Sequence, residues 1–396
     1  MEVMRSERRE GSAAGAWEAS DDPIEISGAG PAGLTAALAA VAAGRRARVY
    51  ERRADVGARF HGDFQGLENW TVTTDVLEEL AGLGVAVDFE HLPVHEVVVF
   101  DPRARPRSFR SQRPLYYLVR RGSQPGSLDH ALKLQAQTAG VELRFGHTAP
   151  SPLRTGIVTV GPRRADAIAA GYLFETDMAD GAYAAVSDRL APKGYAYLLV
   201  WNGRGTVATC MFEGFAHAWR YVARTVAFFE EHVGLRMRAP RRFGGTGNFF
   251  IPRSVRREEV LYAGEAAGMQ DPLFGFGIRY AMVSGAQAGR ALALGRPEHY
   301  ERQWRRRLRP AHETGVVQRW IYERLGDRGY QAVMARYPQG RDVRDWLHRA
   351  YRPRWRKRLW YHLLLRWRQR PVPYTGAVVR SRGPASGRGP GAQPSV

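Results

Sequence analysis

Three glycines at a fixed spacing, with a carboxylate downstream, are the residues best suited to chemistry near the start of the chain. Gly28, Gly30 and Gly33 form a GxGxxG pattern, and Glu51 follows 23 residues after the first glycine. Such glycines let a backbone turn sharply, approach a pyrophosphate and pack a helix against a strand, while the acid accepts ribose hydroxyls. The pattern predicts a dinucleotide site, and the alternative is an ordinary turn between a strand and a helix.

The elements that must position these residues follow in the required order. Apolar and polar residues alternate from Ile24, as in a short strand, and the Ala- and Leu-rich residues 31–43 predict a helix that Gly44 ends. The N-terminus of such a helix offers free N–H groups and a partial positive charge to a phosphate. A second strand begins at Arg48, which places Glu51 at a strand end.

A second glycine-rich stretch lies far downstream. Residues 260–278 read VLYAGEAAGMQDPLFGFGI and predict a strand, a turn and a glycine loop, followed by a helix. Glu265 stands at the strand end, where a carboxylate could meet a ribityl hydroxyl, and Gly275 and Gly277 stand at the helix N-terminus. Backbone donors there suit a flavin, because its reduced ring carries negative charge around N1 and O2. The alternative is a glycine-rich turn between two core elements.

Together these motifs resemble the FAD-dependent oxidoreductases of the p-hydroxybenzoate hydroxylase fold, and within them the geranylgeranyl reductase family. The resemblance rests on GAGPAG, on the acid after the second strand and on GEAAGxxxPxxGxGI, and it extends over residues 23–290. It implies an FAD cofactor, with NADPH or a ferredoxin as the reductant. The residues implied to contact FAD are Gly28, Ala29, Gly30, Ala32, Gly33, Glu51, Arg52, Arg120, Arg121, Gly264, Glu265, Pro272, Gly275, Phe276 and Gly277.

The resemblance also directs attention to candidate catalytic residues. His61 and Asp63 lie where some archaeal family members carry a cysteine, and they are candidate proton donors. The preferred interpretation of that pair is nevertheless a surface histidine beside an aspartate. Tyr197 lies in a strand similar to the one beside the family's substrate cavity. Aromatic residues that could line an apolar tunnel, or simply form core, are Trp70, Tyr195, Tyr197, Trp201 and Phe274.

The fold class expected is α/β, with a Rossmann-like FAD-binding domain, an inserted, mostly antiparallel β-sheet substrate domain and a C-terminal helical extension. The expected divisions are a disordered N-terminus at 1–22, the FAD-binding domain at 23–60, 115–150 and 255–300, the substrate domain at 61–114 and 151–254, a basic helical region at 301–370 and a disordered tail at 371–396. Residues 52–70 are expected to form a loop beside the cofactor, because their pattern is irregular.

Positive charge is concentrated at the C-terminal end. The formal charge of the 396 residues is +20, and residues 301–396 contain 23 basic and six acidic side chains. Residues 352–370 contain eight basic side chains and no acid, with apolar side chains at near-helical spacing. This composition predicts a helix on an anionic membrane surface. An equal alternative is docking on the body of the protein, and nucleic acid is an unlikely third partner. The stripe comprises Trp355, Leu359, Leu363 and Trp367.

Cysteine content and hydropathy restrict the setting of the protein. The single cysteine, Cys210, excludes an internal disulfide and a cysteine-ligated metal, and no metal site is expected. Neither a signal peptide nor an apolar run of membrane-spanning length is evident. We therefore expect a cytoplasmic protein, or one peripheral on the inner face of the membrane.

The activity expected is reduction of carbon–carbon double bonds in an isoprenoid or other lipid-like substrate by reduced flavin. One alternative is a flavin-dependent monooxygenase that hydroxylates an aromatic or apolar small molecule. Another is a flavoprotein that binds a partner without turnover. An electron-donor protein is a further expected partner of the reductase.

Overall fold

The structure is a computed structural model that describes residues 22–162, 165–338 and 340–367. Apart from Asp22, both segments expected to be disordered, 1–22 and 371–396, lie outside the described residues. None of the helices in the described part of the chain combines the length and apolar composition needed to cross a membrane.

The strands and helices are numbered in chain order. The strands are β1 Ile24–Ser27, β2 Ala47–Glu51, β3 Phe64–Glu68, β4 His91–Val94, β5 Glu96–Phe100, β6 Pro106–Arg110, β7 Tyr116–Arg120, β8 Glu142–Phe145, β9 Thr155–Val158, β10 Ala167–Glu175, β11 Gly181–Ala185, β12 Tyr195–Trp201, β13 Arg204–Met211, β14 Arg238–Gly247, β15 Arg256–Arg257 and β16 Glu259–Tyr262. The α-helices are α1 Pro31–Ala42, α2 Val76–Gly82, α3 Leu128–Thr138, α4 Ala218–Val233, α5 Ile278–Ala293, α6 Pro297–Gln303, α7 Arg309–Arg336, α8 Val343–Tyr351 and α9 Trp355–Trp367.

The first sheet is the Rossmann-like layer. Its strand order is β15-β16-β9-β1-β2-β8, and all its pairings are parallel except that of β15 with β16. Parallel strands need crossover connections, which α1 and α3 supply here. The carboxyl ends of β1, β2 and β16 therefore lie along one edge, where both glycine stretches begin.

The second sheet is built mainly from antiparallel strands. Its order is β14-β10-β13-β12-β11-β5-β6, and only β5 and β11 pair in parallel. Helix α4 packs against β10 and β13. A third, smaller sheet has the order β3-β7-β4, and its pairings are antiparallel. This arrangement confirms the predicted α/β fold class.

The C-terminal helices follow α5. A π-helical turn at Trp304–Leu308 joins α6 to α7, and α7 kinks at Gly326, where φ is +56°. Helix α8 packs beside β6, and α9 packs on α7. The predicted helical extension is therefore present in the described part of residues 301–370.

Two sequence expectations require correction. Residues 52–70, expected to form a loop, contain β3, whose only apolar side chains are Phe64 and Leu67, so pairing with β7 rather than its own pattern makes it a strand. Strand β9 lies within residues 151–254, which are expected to belong to the substrate domain, but it pairs with β1 and β16 in the first sheet. The residue pattern of a short apolar strand does not show which sheet the strand will join.

Candidate functional site

The first glycine turn joins β1 to α1, and a different steric requirement explains the glycine at each of its three positions. Gly28 has φ +107°, a conformation that side chains rarely adopt, and it makes the sharp turn. A Cβ on Gly33 would lie 1.9 Å from the carbonyl oxygen of Gly28, so its absence lets α1 pack onto the turn. A Cβ on Gly30 would meet nothing within 4 Å. That open backbone is the part of the turn that a phosphate needs.

A carboxylate lies directly beside this turn. Glu51 ends β2, and its Oε2 accepts a hydrogen bond from the Ala29 N–H at 3.1 Å, while Oε1 accepts one from the Arg53 N–H at 2.9 Å. Parallel pairing of β1 with β2 brings the two strand ends together. The acid is therefore within hydrogen-bonding reach of the turn, and the neighbouring Arg52 is exposed to solvent.

Close packing of α1 against α5 brings the second glycine stretch to the first. A Cβ on Gly285 would lie 2.1 Å from the carbonyl oxygen of Ala32, and one on Gly289 would lie 2.0 Å from that of Ala36. Gly264, with φ +59°, extends the contact, because a Cβ there would lie 2.6 Å from the Cβ of Ala32. The two turns, distant in sequence, meet at the N-terminus of α1.

The residue directly after Gly264 is Glu265, whose carboxylate is partly buried. Glu265 Oε2 lies 3.3 Å from Nη2 of Arg59. Burial raises the pKa of the Glu265 carboxyl, and the charge of Arg59 and the Asn248 N–H act against the rise. Among the residues that the structure describes, the buried side-chain oxygen of Asn248 has no hydrogen-bond partner. A hydroxyl-bearing ligand would satisfy this oxygen and share the carboxylate.

The glycine-rich loop of residues 269–277 leads into α5. Gly275 has φ +81°, and the ring of Phe276 packs so closely on β3 that a Cβ at Gly66 would lie 2.1 Å from it. Gly277 is the N-cap of α5, and Gly30 is the N-cap of α1. A glycine has no side chain that could accept hydrogen bonds from the first N–H groups of the helix. Both helices therefore present N-termini without a capping side chain, which suit an anionic group.

The C-terminal helices hold this loop from its other side. Tyr351 at the end of α8 donates its hydroxyl to the Asp271 carboxylate, 3.0 Å from each oxygen. The Phe274 N–H also donates to this carboxylate, at 2.7 Å, and Arg319 of α7 donates to the Leu273 carbonyl at 3.1 Å. Burial raises the pKa of Asp271 to about 6, although these hydrogen bonds favour its charged form. Helices α7 and α8 are thus a wall of the site.

The two arginines considered for the cofactor take different partners. Arg121 forms a bidentate pair with Asp129, with Nε and Nη2 each 2.8 Å from a carboxylate oxygen. Arg120 is paired with Glu90 at 3.0 Å. The charge of Arg121 acts on the Glu265 carboxyl, so Arg121 is the arginine on the side of the glycine turns. Contact of either residue with FAD stays a prediction.

The candidate proton donors differ in exposure. His61 is exposed, whereas Asp63 is buried. The Asp63 carboxylate accepts a hydrogen bond from the His61 backbone N–H at 3.2 Å and one from the Gln65 side-chain amide at 2.8 Å. Burial raises the pKa of Tyr197, and the charge of Asp63 adds to the rise. The Tyr197 hydroxyl is therefore protonated at neutral pH, and Asp63 is close enough for its charge to act on that hydroxyl.

The five aromatic residues considered for a tunnel belong to one cluster. Ring centroids are 6.2 Å apart for Trp70 and Phe274, 6.3 Å for Tyr195 and Phe274, and 6.0 Å for Tyr195 and Tyr197. Trp201 packs against the same cluster. The cluster lies beside the glycine-rich loop and gives the site an apolar wall.

Sequence reasoning missed four residues that organise the site. They are Asp271, Arg279, Arg319 and Tyr351. Arg279 in the first turn of α5 lies 3.1 Å from the buried Glu68 carboxylate. A charged side chain within the glycine-rich stretch, or directly after it, is a signal that could have identified Asp271 and Arg279. Nothing in the sequence around the other two distinguishes them from surface residues.

Comparisons with known proteins agree with this arrangement. The sequence profile of the NAD(P)-binding Rossmann-like domain matches residues 26–69, which include the first glycine turn. No curated protein sequence matches the chain. A similar solved structure is the geranylgeranyl bacteriochlorophyll reductase-like protein from Thermoplasma acidophilum, with 17% sequence identity and a TM-score of 0.65. The match covers 79% of this chain and 90% of that one.

Two further solved structures share the architecture. A flavoprotein/dehydrogenase from Cytophaga hutchinsonii has 17% identity and a TM-score of 0.61, over 83% of this chain and 92% of its own. A probable FAD-dependent monooxygenase from Pseudomonas aeruginosa has 15% identity and a TM-score of 0.58, over 79% and 99%. The chain therefore has the fold of these flavoproteins, a Rossmann-like domain combined with a mostly antiparallel sheet.

Proposed function

We propose that this protein is an FAD-dependent oxidoreductase that reduces carbon–carbon double bonds of an isoprenoid or other lipid-like substrate. The observation that carries the proposal is the contact of the two glycine turns, where Gly264 packs on Ala32. One turn suits the ADP half of a flavin dinucleotide and the other suits its ring. A dinucleotide that spans both turns explains why two distant glycine motifs converge.

The residues at the turns fit FAD. The open backbone at Gly30 and the uncapped N-terminus of α1 would receive the pyrophosphate. Glu51 would exchange its bond to the Ala29 N–H for ribose hydroxyls. Glu265 and the side-chain oxygen of Asn248, which has no partner in the described part of the chain, would meet ribityl hydroxyls. The uncapped N-terminus of α5 would face the negative part of the reduced ring.

Apolar residues of the chain would bind the substrate, and residues with an acidic proton would supply that proton to it. Bound FAD would supply hydride transfer. The aromatic cluster around Trp70 and Phe274 would hold an apolar substrate and exclude water. Tyr197 places a phenolic hydroxyl in this cluster and is the proposed donor of a proton to the second carbon of the double bond. Burial raises its pKa and so makes the phenol a weaker acid, which means that the phenolate formed must be reprotonated in each turnover. Asp63 lies close enough to influence that proton, and the exposed His61 beside it leads to solvent.

The first experiment separates cofactor binding from folding. Gly30 has ordinary backbone angles and free space at its Cβ position, so Gly30→Ala should leave the melting temperature of the apoprotein unchanged. The added methyl would occupy the space needed by a pyrophosphate, and FAD affinity should fall at least about tenfold. Gly82→Ala in α2, also with free space, is the matched control and should bind FAD normally. Protein that binds no FAD, by visible absorption and titration, contradicts the proposal.

The second experiment addresses the substrate and the reductant. Anaerobically reduced protein is mixed with polyprenyl substrates, and saturated products are sought by mass spectrometry. NADPH and reduced ferredoxin are compared as electron donors through the rate of flavin bleaching. Tyr197→Phe should lower the rate of product formation while leaving FAD affinity unchanged. Unchanged polyprenyl substrates with a fully reduced flavin would remove the reductase assignment but keep the flavoprotein.

The second candidate function is a flavin-dependent monooxygenase acting on an aromatic or apolar small molecule. The apolar aromatic wall favours such a substrate equally, and a similar solved structure is named as a probable FAD-dependent monooxygenase. Oxygen consumption coupled to a hydroxylated product would support this function. Oxygen consumption that only yields hydrogen peroxide would not.

A further inference from the structure

The helix α9 has two apolar faces, of which one is buried against the protein and the other, among the described side chains, is largely exposed. Tyr361 and Leu364 are 3% and 8% exposed and pack with Val317 of α7. On the other side, Trp355 and Leu359 are 72% and 53% exposed. The stripe expected from the sequence is therefore, as far as its side chains are described, the outward face, and a different pair of residues docks the helix.

This outward face consists of large apolar side chains that remain exposed. It comprises Trp355, Leu359, Trp360 and Leu363, each at least 42% exposed. Along a helix the first, second and fourth of these residues are spaced four apart and form one line. The Trp360 ring also lies 6.3 Å from that of Trp320 on α7, which widens the face towards that helix. Contiguous exposed apolar side chains of this size mark an interaction surface.

Positive charge borders the same face. Arg352, Arg354, Arg356 and Arg358 are all exposed. On a helical projection Arg356 lies on one side of the apolar line and Arg358 on the other. Arg324, exposed on α7, covers the Trp320 ring at 4.0 Å. An apolar line with arginines on both sides matches the headgroup and acyl layers of an anionic bilayer.

We propose that the face formed by Trp355, Leu359, Trp360 and Leu363, with its bordering arginines, binds the surface of an anionic phospholipid bilayer. The indole and leucine side chains enter the boundary between headgroups and acyl chains, and the guanidinium groups contact lipid phosphates. Residues 352–370 contain no acid that would oppose a negative surface. A second copy of this chain is a poorer occupant, because it would bring the same arginines face to face.

The position of this face also connects it to the candidate active site. Val317, which packs against α9, lies on the same helix as Arg319, which donates to the Leu273 carbonyl in the glycine-rich loop. One rigid helix therefore supports both the lipid-facing surface and the wall of the site. Should the substrate be a membrane lipid, as the proposed function holds, docking would bring its source close to α7. The docking itself does not depend on bound flavin.

The test is flotation of the full chain with vesicles of phosphatidylcholine, with or without phosphatidylglycerol. The unaltered protein should float only with vesicles that contain phosphatidylglycerol, and less in high salt. A triple variant, Trp355→Ser, Leu359→Ser and Leu363→Ser, should lose at least about tenfold in partition coefficient. Replacing Arg352, Arg354 and Arg356 by Gln should weaken binding roughly fivefold for each arginine.

The control variant carries Leu134→Ser, Trp219→Ser and Leu294→Ser, which are similarly exposed but lie elsewhere on the chain. It should bind vesicles like the unaltered protein, and all variants should keep the same melting temperature and FAD content. Equal flotation of both triple variants overturns the proposal. So does a dimer in solution that the α9 triple variant converts to a monomer, because the face would then be occupied by a second copy. Failure to bind FAD leaves the flotation result unaffected.

Discussion

The hydrogen bond between Tyr351 and Asp271 offers the sharpest test of how the C-terminal helices support the site. Tyr351→Phe removes one hydroxyl and leaves the buried ring in place. The lost bond is made to a buried carboxylate, and bonds to charged groups contribute about 1.5–3 kcal/mol. We expect a loss of this size in the free energy of unfolding at pH 8, together with faster proteolysis at residues 269–277.

The pH dependence follows from the raised pKa of Asp271. A carboxyl with a folded-state pKa of about 6 binds its proton more tightly in the folded protein than in the unfolded chain, so protonation stabilises the fold as the pH falls. Removing a donor to the charged form raises that pKa further. The loss caused by Tyr351→Phe should therefore be full above the pKa and shrink to about 1 kcal/mol near pH 5, where the carboxyl is neutral.

The matched control is Tyr300→Phe. The Tyr300 hydroxyl is buried and donates to the Tyr262 carbonyl at 2.7 Å, a neutral acceptor. This variant should lose about 1 kcal/mol, equally at pH 5 and pH 8. Both variants are measured by urea unfolding at the two pH values, with each compared to the unaltered protein. A Tyr351→Phe loss that is the same at both pH values, or below about 0.5 kcal/mol, would refute the reasoning.

Three further predictions concern packing and buried charge. Gly289→Ala places a methyl 2.0 Å from the Ala36 carbonyl oxygen and should destabilise the protein by about 1–3 kcal/mol in urea unfolding, whereas Gly82→Ala, with free space, should not. Arg279→Leu removes the positive charge paired with the buried Glu68 carboxylate, whose remaining hydrogen bonds come from neutral groups, and should cost about 3–5 kcal/mol. Adding Glu68→Gln should recover part of the loss, and a double variant no more stable than Arg279→Leu would contradict the pairing. Gly33→Ala should destabilise even the apoprotein, unlike Gly30→Ala, because its methyl would meet the Gly28 carbonyl oxygen at 1.9 Å; equal melting temperatures would contradict the steric assignment.

Several parts of the site could be predicted because they depend on near neighbours in the chain. The positive φ of Gly28, the helix that begins at Pro31 and the acid that ends β2 all arise within one strand–helix–strand unit. Backbone conformation, helix propensity and strand alternation are local properties, so residue types and spacing were sufficient.

Other features of the site depended on residues that are far apart in the chain. Asp271 and Tyr351 are separated by 80 residues, and Arg107 of β6 donates to the Met334 carbonyl of α7 across a still longer interval. Burial of Asp63 beside the exposed His61 likewise depends on what packs over the loop. The periodicity of one segment carries no information about such contacts, because it specifies which face is apolar but not what covers that face.

Helix α9 shows the limit most directly. Its sequence determined a helix with an apolar stripe and a basic border, because these follow from the residue period alone. Only the tertiary structure decided that Tyr361 and Leu364 face α7 while Trp355 and Leu359 face solvent. Apolar residues lie on both sides of this helix, so the choice between them is made by the shape of the surface on α7 and not by hydrophobicity.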